Sequence, residues 1–159
     1  MKKAFILVIT IALFAAGCKK SDVAASVDSS WTLGSTTYKA ALSNKGTTSG
    51  GTPTTLISFF DAIPVGASPT VNSINFTFLT APTASDSYEL VGLGTALNAN
   101  RVQLSAGGPG GTYAYNSTGV KVQVTVTGGK VKIVIPEVSM MSTSGQPAVK
   151  LTASVQEMN

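Results

Sequence analysis

The chain contains no histidine. That removes the side chain that most often acts as a general base near neutral pH, the usual middle member of a Ser-His-Asp triad, and the commonest metal ligand. Cysteine occurs once, as Cys18. An intramolecular disulfide is therefore impossible, even in an oxidising compartment that would permit one, and a zinc site built on several thiolates is excluded. Charge is also scarce: Asp, Glu, Lys and Arg make up 11% of the residues. No stretch beyond the N-terminal segment carries the 3.6-residue apolar period of an amphipathic helix.

What is present begins at the N-terminus. Met1-Lys2-Lys3 is followed by the apolar run Ala4 to Phe14 and then by Ala15-Ala16-Gly17-Cys18. Two cations, an apolar stretch and small residues are the three regions of a secretory signal. The run is shorter than the roughly 20 residues a membrane-spanning helix needs. Lys19, Lys20 and Asp22 follow at once, which further disfavours a permanent span. A lone cysteine after Ala15-Ala16-Gly17 resembles the lipobox of bacterial lipoproteins. It departs from that pattern at Ala15, where Leu, Val or Ile is preferred. The resemblance implies that residues 1–17 are a cleaved signal helix, that Cys18 receives diacylglycerol, and that its new amino group is acylated, as with palmitate. The partner so implied is a membrane, held through lipid. Several acyl chains suffice for stable anchoring, since each buried methylene contributes about 0.8 kcal/mol.

Lys2 and Lys3 belong to that signal, and without them the excess of basic over acidic residues falls from four to two. The isoelectric point of about 9.3 therefore overstates the basicity of the remainder. The other lysines are scattered, without the dense patch and interleaved aromatics of a nucleic-acid surface, so no nucleic-acid partner is expected. Gly, Ser, Thr and Val are abundant, and polarity comes from hydroxyls rather than charges, as in many exported β proteins.

Residues 18–30 are small and polar and read as a flexible tether. From Trp31 to residue 159 the pattern is that of one β domain. Trp31-Thr32-Leu33, Gly34-Ser35 and Thr36 to Leu42 read as strand, turn and strand. Residues 44–54 lack an apolar anchor and read as a loop. Leu56 to Phe60 is a short apolar strand, and in Asn72 to Phe78 the residues Ile74, Phe76 and Phe78 share one face. Tyr88 to Val91 and Arg101 to Leu104 are weaker strands. Gly107 to Gly111 reads as a turn before a strand beginning at Thr112.

The clearest pattern runs from Val120 to Ile135. Valines alternate with polar residues up to Gly128-Gly129, which supplies the positive φ angles of a two-residue hairpin turn. That turn sets Thr127 opposite Lys130, and so Val126 opposite Val131, Val124 opposite Ile133 and Val122 opposite Ile135 on one face. Pro136 cannot donate to a ladder, and the apolar parity changes from Ile135 to Val138; one extra residue near Pro136-Glu137 satisfies both facts. A last strand spans Val149 to Val155. The expected fold is all-β, an antiparallel β-sandwich or open barrel of about 8–10 short strands.

Few residues carry chemistry. Past the tether the acids are Asp61, Asp86, Glu89, Glu137 and Glu157, each at a turn or edge position. A glycosidase would need two of them roughly 5–9 Å apart in a cleft. Asp86 with Ser85, Ser87 and Glu89 is a poor calcium candidate. Gly107 to Gly111 lacks the Lys-Ser/Thr ending of a phosphate loop. No catalytic residue, metal or cofactor is assigned. Tyr113 and Tyr115, two apart on one face, are the candidate stacking platform for a sugar ring. The alternative is that they cover the core near a sheet edge.

The stretch Ser30 to Tyr38, the segment Ser87-Tyr88-Glu89-Leu90 and the Val-rich hairpin resemble small Bacteroidota lipoproteins with β-sandwich domains of unknown function. Lys19 to Asp22 after the lipidated cysteine is similar to sequences that direct such proteins to the cell surface. The resemblance implies a cell-envelope, outer-membrane location, on the periplasmic side or at the cell surface. The leading expectation is a non-catalytic binding or structural envelope protein, with a glycan or another envelope protein as partner. A lipocalin-like carrier of a small apolar ligand and a hydrolase are the alternatives.

Overall fold

The computed structural model describes residues 28–49, 51–63, 71–108 and 110–158. The signal, Cys18 and most of the expected tether lie outside them. The described residues contain eleven strands: β1 Ser30–Leu33, β2 Thr36–Lys39, β3 Leu42–Thr47, β4 Thr55–Phe60, β5 Ser73–Phe78, β6 Asp86–Val91, β7 Arg101–Gly108, β8 Gly111–Tyr115, β9 Val120–Thr127, β10 Lys130–Ser142 and β11 Val149–Gln156.

Period-two alternation explains most of them. In β5, Ile74, Phe76 and Phe78 are fully buried while Ser73, Asn75 and Thr77 face outward, half-buried. The β9–β10 hairpin turns at Gly128 and Gly129, with φ of 59° and 78°. Its ladder starts at Thr127–Lys130, continues through Val126–Val131 and Val124–Ile133, and reaches Gln123–Val134. It stops one step short of the expected Val122–Ile135 pair. Val122 is instead opposite Tyr88 of β6, and Ile135 opposite Ala153 of β11. The bulge is where proline and parity place it. Ile135 pairs with Ala153 and Val138 with Leu151, so β10 carries one residue more than its partner across that interval. Because of it, Ile133, Ile135, Val138 and Met140 all reach the core.

The sheet closes on itself. Strands β6, β7, β8, β10 and β9 form a closed five-stranded barrel. β8 bridges β7 and β10 at one end, while β6 and β9 bridge them at the other. The β6–β7 pair is parallel; the remaining ladders are antiparallel. Two wings extend from the barrel: β5, β4 and β3 from β7, and β11, β1 and β2 from β10. Closure removes free backbone edges from the barrel itself. At the free edge β3, Lys45 pairs with Glu157 at 2.9 Å and Ser43 Oγ accepts from Met158 N–H at 2.7 Å.

One contiguous apolar cluster fills barrel and wings. Phe59 packs edge-on to Phe76 with ring centres 6.2 Å apart, and Phe78 to Tyr88 at 5.2 Å. Trp31 stacks on Tyr38 at 5.4 Å, and neither Trp31 Nε1 nor the Tyr38 hydroxyl has a hydrogen-bond partner. Among the described residues, side chains of this cluster occupy the interior.

Several expectations are corrected. Residues 44–47 are not loop but the last four residues of β3, which pairs with β4 from Leu42–Phe60 to Thr47–Thr55. An edge strand held by backbone bonds, its side chains mostly exposed, needs no apolar alternation, so none is visible. Gly107 and Gly108 end β7, opposite Thr112 and Gly111 of β8, so these three glycines belong to the ladder. The expected tether ends early. Ser29 is 7% exposed; its hydroxyl accepts from Gln156 N–H at 2.8 Å, and its carbonyl accepts from Ala40 N–H at 2.7 Å.

Candidate functional site

Tyr113 and Tyr115 do not form an exposed platform. They are 5% and 3% exposed. The reason is closure: β8 sits between β7 and β10, opposite Ala106 through Tyr113 and opposite Met140 through Tyr115. The face these two rings share is therefore the inside of the barrel. Tyr115 spends its hydroxyl on the Thr118 carbonyl at 3.5 Å. Tyr88 is likewise buried, and burial followed by the neighbouring Asp86 charge raises its pKa above the usual 10.0.

Each of the five acids has a structural partner. Asp61 accepts from the Asn72 backbone N–H at 2.8 Å and from its side-chain amide at 2.6 Å, closing the base of the β4–β5 connection. Asp86 accepts from Ser87 N–H at 2.7 Å. Glu89 pairs with Arg101 at 3.3 Å across the parallel strands. Glu137 meets Lys150 at 3.3 Å beside the bulge. Glu157 joins Lys45 and accepts from Val131 N–H at 2.7 Å. The calcium candidate is dispersed too, since Ser85 Oγ is committed to Val126 N–H at 2.9 Å. No group of three potential metal-ligating residues occurs among the described residues.

A groove of about 430 Å³ lies over the outer face of β5 and β7. Thr77 and Gln103 are opposite one another across these strands and form its floor. Thr52 and Thr54 enter from the β3–β4 connection, and Leu79 from the end of β5. The far wall is the connection between β6 and β7, contributing Thr95 and Leu97. That wall is fixed by Gln103, whose side-chain amide donates to the carbonyls of Thr95 at 2.8 Å and Gly92 at 3.4 Å. Four hydroxyls, an amide and two leucines line the groove, with no charged side chain. Its size falls in the range of roughly 300–1,000 Å³ typical of ligand sites. Such a lining suits an uncharged ligand that alternates hydroxyl and C–H surface.

None of these residues stands out in the sequence. Threonine is abundant throughout, and the groove draws on three segments brought together only by the β5–β7 pairing and the parallel β6–β7 crossover. The period-two pattern does put Thr77 and Gln103 on the outer face, which is as far as spacing alone leads.

The fold and groove define an all-β domain, a closed five-stranded barrel with strand wings and an uncharged hydroxyl-lined groove on one wing. Comparison with protein-family models, curated proteins and solved structures finds no match for the chain.

Proposed function

We propose that this is a membrane-anchored envelope lipoprotein whose β domain binds a neutral glycan without transforming it. The observation that carries the glycan reading is the uncharged groove under the β6–β7 connection, with threonine hydroxyls over leucine surface. Sugars present hydroxyl edges and apolar faces, and such a lining matches both. The five acids serve turns, edges and ion pairs, which favours binding over hydrolysis. The anchor is Cys18, carrying lipid at the outer membrane, with the polar residues after it setting the domain off from the bilayer.

Two experiments test this reading. Replacing Cys18 by Ala should shift the protein from the membrane to the soluble fraction; retention at the membrane would remove the anchor. A glycan array probed with the chain from Ser21 onward should show binding to neutral glycans. Thr77→Val, which deletes a hydroxyl at constant shape, should weaken that binding about threefold to tenfold, as expected for one hydrogen bond. An array without signal would end the glycan reading.

A further inference from the structure

We propose that Glu89 and Arg101 are positioning residues of the groove: they brace its far wall from behind and make the binding of an uncharged ligand sensitive to salt. The proposal rests on the glycan reading above and adds two residues that do not line the groove. The far wall is residues 94–97, in the connection between β6 and β7. That connection folds back over the outer face of the two strands. Leu90 points into the apolar cluster, so Val91 beside it faces outward. Val91 is nevertheless fully buried, and Gln103, opposite it on the same face, reaches the carbonyls of Gly92 and Thr95.

Gln103 thus holds the wall from the groove side, and Arg101 holds it from the other. Arg101 Nη1 donates to the Ala96 carbonyl at 3.3 Å, and its Nε donates to Glu89 Oε2, also at 3.3 Å. A guanidinium is planar, with donors fixed relative to one another. Glu89 therefore sets the plane in which Arg101 meets the wall. The parallel register makes Glu89 and Arg101 direct partners. Two backbone bonds tie the end of the connection to the same residues: Glu89 N–H donates to Asn100 at 2.8 Å and Arg101 N–H to Asn98 at 3.3 Å. Lys121 lies opposite Glu89 on β9, so the carboxylate stands between two cations and pairs with the one beside the wall. The Arg101 and Glu89 side chains are 35% and 27% exposed, which leaves the pair within reach of dissolved ions.

A wall braced in advance need not be ordered by the ligand, which lowers the cost of binding. An uncharged lining and a neutral glycan have no direct response to ionic strength, whereas the ion pair behind the wall does. The Debye length shrinks from about 30 Å at about 0.01 M salt to about 3 Å at about 1 M. The test is calorimetric titration of the purified protein with a neutral glycan found on the array, in sodium chloride at these two concentrations. Wild-type affinity should fall about twofold to fivefold at high salt, the size expected of one partly exposed ion pair. Glu89→Gln removes the charge but leaves an amide oxygen for Arg101; Arg101→Met keeps the aliphatic stem alone. Both should bind with the high-salt affinity of the wild type and show no salt response, and Glu89→Gln decides alone if Arg101→Met fails to fold. Thr77→Val, which leaves the brace intact, should bind more weakly yet keep the wild-type ratio between the two salt concentrations. A merely structural role for the pair would lower the thermal midpoint without changing that ratio. Wild-type binding that ignores salt, or a salt response that persists in either variant, would overturn the brace and leave the glycan reading intact. An array without a single hit would overturn both.

Discussion

The two faces of β5 and β7 show the same strands doing opposite work. Inward, Ile74, Phe76, Phe78, Val102, Leu104 and Ala106 are completely buried. Outward, Ser73, Asn75, Thr77, Gln103 and Ser105 are only half-buried. One backbone thus carries a packed interior and, 180° away, a hydroxyl-bearing surface. The packed face and the outer face can be altered separately because no side chain belongs to both.

The comparison breaks most visibly from the inside. Phe76→Ala removes a fully buried ring that packs against Phe59. It should cost about 3–5 kcal/mol, measured as a lowered denaturation midpoint or outright failure to fold. Gly108→Ala is a subtler intrusion. A Cβ there would lie 2.7 Å from Leu33 Cδ2, so the end of the Leu33 side chain must turn aside. A loss of about 0.5–1.5 kcal/mol is expected from moving that side chain off its rotamer, read in the same denaturation experiment.

Alkaline pH tests the inner face without adding or removing an atom. The Tyr88 pKa is raised by burial and by Asp86. The folded protein then holds that proton more tightly than the unfolded chain does. The stability linked to this proton is fully present below the unfolded tyrosine value of about 10 and lost as pH rises through the higher folded value. Denaturation midpoints should fall in that alkaline window, and Tyr88→Phe should flatten this part of the pH profile. The smallest effect belongs outside: Thr77→Val should change stability by no more than about 0.5 kcal/mol. A large loss there would show that the groove floor is structural.

How far sequence leads follows from the same two faces. The β9–β10 hairpin is legible to the residue pair because Gly128-Gly129 sets its register and the valines allow no slip. The bulge is legible because proline and a parity change coincide at residues 135–138. β3 is hidden because its pairing is purely backbone and its side chains Asn44 to Thr47 are exposed. Barrel closure by β8 is hidden for a different reason. Nothing in Thr112 to Tyr115 states that both neighbours exist, and without the second neighbour Tyr113 and Tyr115 read as a platform. The groove is the least legible feature, since its far wall depends on a parallel crossover of residues 92–100 between β6 and β7.

The central claim is that the outer groove binds neutral glycans while the interior only holds the fold. Calorimetric titration of the wild-type protein and Thr77→Val with a glycan identified on the array tests it most directly. The account expects an affinity about threefold to tenfold lower in the variant, with denaturation midpoints that coincide. Equal affinities for the two proteins, or a loss of binding that tracks a loss of stability, would contradict it.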